Sequence, residues 1–179
     1  MNKLLSTVAI SAVLSTGAIA GDIYGSVGAA LTTLSAYDSG VSIVGTAGMK
    51  LDNILPNFAV EVELSQTVVD PSASWAWSDL DMSIFGVGAY AVYNFKIPNT
   101  PITIKPRLGL NYENISYDYA NNYSRYRNDI YRWEADYSDT SLSYGLGVTY
   151  PLNNKLTVYA DYTDKGISDN IGVGIGMSF

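Results

Sequence analysis

The chain has 179 residues, enough for one domain; only 15% of them are charged, and the formal net charge is −7. That acidic balance excludes nucleic acid as a partner, because phosphate binding needs a basic surface. There is no Cys and no His, which excludes a disulfide framework and a thiolate metal site, and no residue pattern calls for a cofactor.

The chain opens with the three parts of a secretory signal. Lys3 supplies the positive start, Leu4 to Leu14 a short apolar core, and Ala18, Ile19 and Ala20 a small-x-small cleavage site. Residues 1–20 are therefore expected to be removed, leaving 21–179 as the domain. Cleavage takes away Lys3 and no acid, which makes the mature chain one unit more acidic. No apolar run is long enough for a transmembrane helix.

From Gly21 onward the sequence reads as strand after strand, each alternating with a period of two. The first places Ile23, Val27, Ala29 and Leu31 on one face, and the second Val41, Ile43, Ala47 and Met49. The third sets Phe58, Val60, Val62 and Leu64 against Glu61, Glu63 and Ser65. The fourth sets Phe85, Val87, Ala89, Ala91 and Tyr93 against Gly86, Gly88 and Tyr90. The fifth sets Ile104, Leu108, Leu110 and Tyr112 against Lys105, Arg107, Asn111 and Glu113. The sixth sets Leu142, Tyr144, Leu146, Val148 and Tyr150 against Ser143, Gly145 and Gly147. The seventh sets Leu156, Val158, Ala160 and Tyr162 against Tyr159 and Asp161. The eighth sets Ile171, Val173, Ile175, Met177 and Phe179 against Gly172, Gly174 and Gly176.

Connections alternate in length. Asp52 to Asn57, Phe95 to Pro101 and Pro151 to Asn154 are short and carry Pro and Asn to turn the chain. Thr32 to Gly40, Gln66 to Asp81, Tyr117 to Thr140 and Thr163 to Asp169 are longer on average and polar, and are expected to be loops. An eight-stranded antiparallel barrel follows. A soluble barrel would hide the apolar face inside. Glycine triplets on the polar face and aromatics near both ends of the apolar face favour a barrel in a membrane.

The alternation, the loop lengths, the signal and the terminal Phe179 together resemble small bacterial outer-membrane β-barrels of the OmpA/OmpX and opacity-protein type. The resemblance covers the whole chain. It implies an eight-stranded up-and-down transmembrane β-barrel in the outer membrane of a Gram-negative bacterium, with turns in the periplasm and loops outside. It also implies Phe179 as the signal read by the barrel-insertion machinery. No peptidoglycan-anchoring domain is expected after Phe179. Outer-membrane lipid and lipopolysaccharide are the implied surroundings, a host or surface ligand the implied partner, and a monomer the expected state. The barrel enzymes of the outer membrane rely on an active-site histidine that this chain lacks, so no enzyme is expected.

Two groups of residues are candidate sites. Lys50, Glu61, Glu63, Lys105, Arg107, Glu113 and Asp161 fall on the polar face and would meet in the lumen as an ion-pair network, the alternative being an ion path. Arg107 is expected to reach Glu61 or Glu63, with Lys105 or Lys50 lower on the same acids, and long side chains from the opposite wall are expected to rest on the glycines. Tyr123, Arg125, Tyr126, Arg127, Tyr131, Arg132 and Trp133 gather in the longest loop, and these are residue types that dominate binding hot spots. The other reading of that loop is a hairpin standing above the membrane, stiffened by cross-strand pairs. Two functions stay open: a structural or adhesive surface protein, and a small-solute or ion pore.

Overall fold

The computed structural model describes residues 22–34, 37–75, 78–121 and 131–179. Eight long strands close on themselves: β1 (Ile23–Leu34), β2 (Gly40–Lys50), β3 (Phe58–Val69), β5 (Ser78–Tyr93), β7 (Thr103–Asn121), β8 (Tyr131–Pro151), β9 (Leu156–Asp164) and β10 (Ser168–Ser178). Two short pieces, β4 (Ser72–Trp75) and β6 (Phe95–Lys96), add to β5 and β7. Each long strand pairs antiparallel with the long strands before and after it in the chain, and β1 against β10 closes the ring. This is the up-and-down barrel that eight alternating segments require.

The apolar alternation faces outward. Leu108, Leu110, Leu142, Ile171 and Val173 are each more than half exposed, whereas Glu61, Glu63, Asn111 and Glu113 are buried. A soluble barrel reverses this arrangement, so the lipid-facing reading holds. On β7 the outward apolar run extends from Ile104 to Tyr112, with Val148 and Thr140 as their partners on β8. At about 3.4 Å per residue and a tilt near 40°, that run spans roughly 20 Å, close to the apolar band of such barrels.

Above that band the alternation changes sign. On β7, Ile115 points inward and is 1% exposed, while Asn114 and Ser116 take the outer face. On β5, Met82 and Ile84 point inward. With Leu34 and Ile115 they form an apolar cluster, against which Tyr117 and Ile167 pack. The strands thus leave the membrane and continue as a water-facing sheet with a dry interior. The expected loops Gln66 to Asp81 and Tyr117 to Thr140 are corrected here: β4, β5, β7 and β8 occupy most of both. Their polar residues look loop-like only if the apolar face is assumed to point outward throughout. The β9–β10 connection is only three residues long, with Gly166 at φ 89°, a conformation that glycine adopts without strain.

Candidate functional site

The lumen is built from strand parity. Glu61 and Glu63 on β3, Lys105, Arg107 and Glu113 on β7, and Asp161 on β9 all lie on inward positions. Arg107 Nη1 stands 2.7 Å from Glu63 Oε2, and Lys165 Nζ stands 2.9 Å from Glu63 Oε1. One carboxylate therefore bridges two cations. Lower down, Lys105 Nζ lies 2.5 Å from Glu61 Oε1, and the Tyr24 hydroxyl donates to the same oxygen at 2.7 Å. The cations are also shelved on aromatic faces, Arg107 at 4.5 Å from the Tyr90 ring centroid and Lys105 at 5.1 Å from that of Tyr24.

Lys165 is 1% exposed and lies in the β9–β10 turn. Its ammonium also donates to Ser65 Oγ at 2.9 Å. The Asn170 amide, oriented by its hydrogen bonds, accepts from the same group at 3.1 Å. The backbone of the turn is tied to β8, whose Ser143 Oγ donates to Asp164 O at 2.6 Å and whose Ser141 Oγ donates to Lys165 O. A turn that carries a buried ammonium is thereby pinned on two sides.

The remaining predicted lumen residues are placed differently. Lys50 does not join the network; it is partly exposed at the barrel base and pairs with Asp22 at 3.4 Å. Its inward position is so near the strand end that water reaches the ammonium. Glu113 is held by Ser168 Oγ at 2.6 Å and has no cation within 4 Å among the described residues. Asp161 likewise makes no ion pair within that distance among the described residues, and lines an open cavity of ≈280 Å³ with Tyr24, Lys50, Lys105 and Tyr159. That cavity opens at the end with the short turns. Above it come the Glu63 pairs, then the apolar cluster.

The glycines do receive large side chains, but chiefly from neighbours. Tyr24 lies over Gly48 and Arg107 beside Gly145, each directly opposite on the adjoining strand. Tyr159 stands opposite Gly174, where a Cβ would meet its hydroxyl at 2.6 Å. The expectation that the opposite wall fills them is corrected: a bare Cα lets the next strand's ring lie flat along the wall, a shorter reach than the full lumen.

The outer candidate residues fall in two groups. Tyr123, Arg125, Tyr126 and Arg127 lie outside the described residues. Tyr131, Arg132 and Trp133 lie on β8 in register with Asn121, Ala120 and Tyr119 of β7, and their side chains are likewise outside the described set. The β7–β8 pair therefore rises as a ribbon well above the membrane band. Its two strands are unequally covered. β8 pairs with β7 from Tyr131 onward, but with β9 only from Tyr144. Phe179 sits at the opposite end, on the outer face, 70% exposed, with its N–H donating to Ile23 O at 3.0 Å.

Residues 4–179 match the outer membrane protein beta-barrel domain. The chain belongs to that outer-membrane β-barrel family. Its place is accordingly the bacterial outer membrane. Solved structures agree in fold. The attachment invasion locus protein Ail of Yersinia pestis superposes with a TM-score of 0.58 at 17% identity, covering 90% of this chain and 100% of that one. Neisserial surface protein A gives 0.59 at 17%, covering 88% and 96%. A major outer membrane protein from Thermus thermophilus gives 0.62 at 12%, covering 88% and 99%. Comparison with curated proteins finds no match. Among the barrel's residues, sequence reasoning missed Lys165 and Tyr24. The signal for both was parity: Lys165 continues the inward series 159, 161, 163 of β9, and Tyr24 is the inward neighbour of Ile23.

Proposed function

We propose that this outer-membrane barrel is a surface-binding protein that meets its partner through the β7–β8 ribbon. The observation that carries the reading is the uneven coverage of β8. Residues 131–143 have a ladder partner on one side only among the described residues. An uncovered strand edge is a row of unspent N–H and C=O groups, a liability unless something uses it. Ala135 through Thr140 are all exposed, whichever face they lie on. Two structural neighbours bear names of the same tenor, one an attachment and invasion protein and one a surface protein.

The pore reading is weaker. Glu63, Arg107 and Lys165 meet in the lumen, and the apolar cluster of Leu34, Met82, Ile84 and Ile115 lies above them. Both layers must rearrange before an ion passes. The lumen network is structural in this account, and Phe179 serves assembly. The test is adherence of expressing bacteria to epithelial cells. A variant with residues 119–133 replaced by a two-residue turn should keep a folded, heat-modifiable barrel and lose adherence to the empty-vector level. Adherence unchanged in the shortened variant sinks the proposal, and steady single-channel conductance in planar bilayers restores the pore.

A further inference from the structure

The ribbon's edge has a definite electrostatic character. Among the described residues, 37–39, 66–75, 78–83, 114–121, 131–140 and 164–169, at the end away from the short turns, carry ten acidic residues against two basic ones. One of those two is Lys165, already spent on Glu63. The acids are also set against each other. Asp81 of β5 is in register with Asp118 of β7, which is in register with Glu134 of β8. That rung of three acids runs across the sheet and ends at the uncovered edge. At the edge's foot, Asp164 of β9 faces Asp169 of β10 directly. Like charges opposite one another on a sheet are destabilising. Among the described residues, no cation pairs with Asp81, Asp136, Asp139, Asp164 or Asp169. Asp136 and Asp139 are exposed on the edge strand itself, each with one oxygen engaged locally, by Ser116 Oγ and by the Thr140 amide.

A sheet edge supplies main-chain hydrogen bonds to any extended chain, and side-chain charge then decides which chain is accepted. We infer that the outer edge of β8, over Tyr131–Thr140, docks an extended polypeptide segment of basic character as an added strand, with Lys or Arg side chains on its outward face set against Asp136 and the Asp164–Asp169 pair. The inference rests on the reading of the ribbon as the binding surface and names its partner class. It also separates this chain from a structural neighbour: Ail has been crystallised with sucrose octasulfate, a heparin analogue and a polyanion. The same polyanion meets an acidic crown here.

The experiment uses the full mature protein in nanodiscs of zwitterionic lipid, which offer a basic peptide no anionic surface. Probes are three fluorescent ten-residue peptides: one that alternates Lys with Thr or Val, one that alternates Glu with Thr or Val, and the Lys peptide N-methylated at every residue, so that both strand edges lose their donors. Anisotropy should show binding of the Lys peptide, weakened at least tenfold by raising salt from 50 to 200 mM, in line with charge screening over about 10 Å. The Glu peptide and sucrose octasulfate should not bind. The N-methylated peptide, which keeps the charge and loses backbone donors, should bind at least tenfold more weakly. Asp136→Asn should weaken the Lys peptide several-fold, Asp139→Asn on the opposite face should not, and both should leave heat modifiability unchanged. Equal binding of the N-methylated peptide, preference for the polyanion, or no binding by the Lys peptide each overturns the inference. These results are independent of cell adherence: peptide binding without adherence removes the surface-binding role alone, and adherence without peptide binding removes this edge alone.

Discussion

Glu63 is the residue on which the lumen turns, because it is shared between Arg107 and Lys165. Breaking a buried pair from one side leaves an uncompensated charge, which costs about 3–5 kcal/mol. Glu63→Gln sets two cations side by side and should be the costlier change. Lys165→Met leaves Glu63 with Arg107 but orphans Ser65 and Asn170, and is expected to cost about 3 kcal/mol. Urea unfolding in lipid vesicles reads both, and the double variant should lose less than the two singles together, since residues in one network do not add. Strict additivity means that Lys165 and Glu63 are not coupled. Gly174→Leu drives a side chain into the Tyr159 hydroxyl and the Gly28 Cα, and should cost about 1–3 kcal/mol through overpacking; wild-type stability there contradicts the packed wall. The Arg107 and Lys105 pairs were legible in the sequence because both residues alternate with the apolar run of lower β7, where the contrast between the two faces is clean. Lys165 was not, because it follows the last apolar outward residue of β9, where alternation has no more contrast to show.

The strand carries two opposite codes in one run. On β7, the series Leu108, Leu110 and Tyr112 points to lipid, and three positions later Ile115 points to the interior. Eight strands and the short turns could be read directly, since Pro, Asn and Gly mark where each run stops. The upper halves of β5, β7 and β8 could not, because a polar outward face beside a thin apolar inward one reads as loop. The element scale therefore yields a paired prediction. Leu108→Arg, at the middle of the outward run, should cost roughly 2–4 kcal/mol, and Val148→Arg, beside the run's end at Ile104, should cost less. Ser116→Arg, on the same face of β7 but above the reversal, should fall within about 0.5 kcal/mol of wild type. Ile115→Ala, one position away on the other face, should cost about 2–5 kcal/mol as a buried truncation. Folding yield in vesicles and urea midpoints check all four. Equal sensitivity at Leu108 and Ser116 erases the boundary.

For the whole molecule, lumen and crown act as one stopper. The wild-type barrel should show no steady conductance in planar bilayers. Ile84→Asn together with Ile115→Asn loosens only the upper layer, so it should add brief openings without a stable open state while the Glu63 pairs remain. A large constant conductance in wild type contradicts the stacked closure. The reversal at Asn114 also has a consequence for time. The crown's interior is apolar and its outside acidic, so it is folded for water, yet every residue of it must first traverse the bilayer. It cannot be assembled in transit, because its acids need solvent and its Ile and Met side chains have no partner until β1, β5 and β7 arrive together. Insertion is thus separated from completion: the lipid belt zips first, and the crown condenses afterwards on the far side, as a second and independent folding event. Amide exchange at Ile84 and Ile115 should be protected later than at Leu108 and Leu110 during insertion. Once condensed, the crown is too charged to slip back through lipid, and it holds the barrel in place as the head holds a rivet.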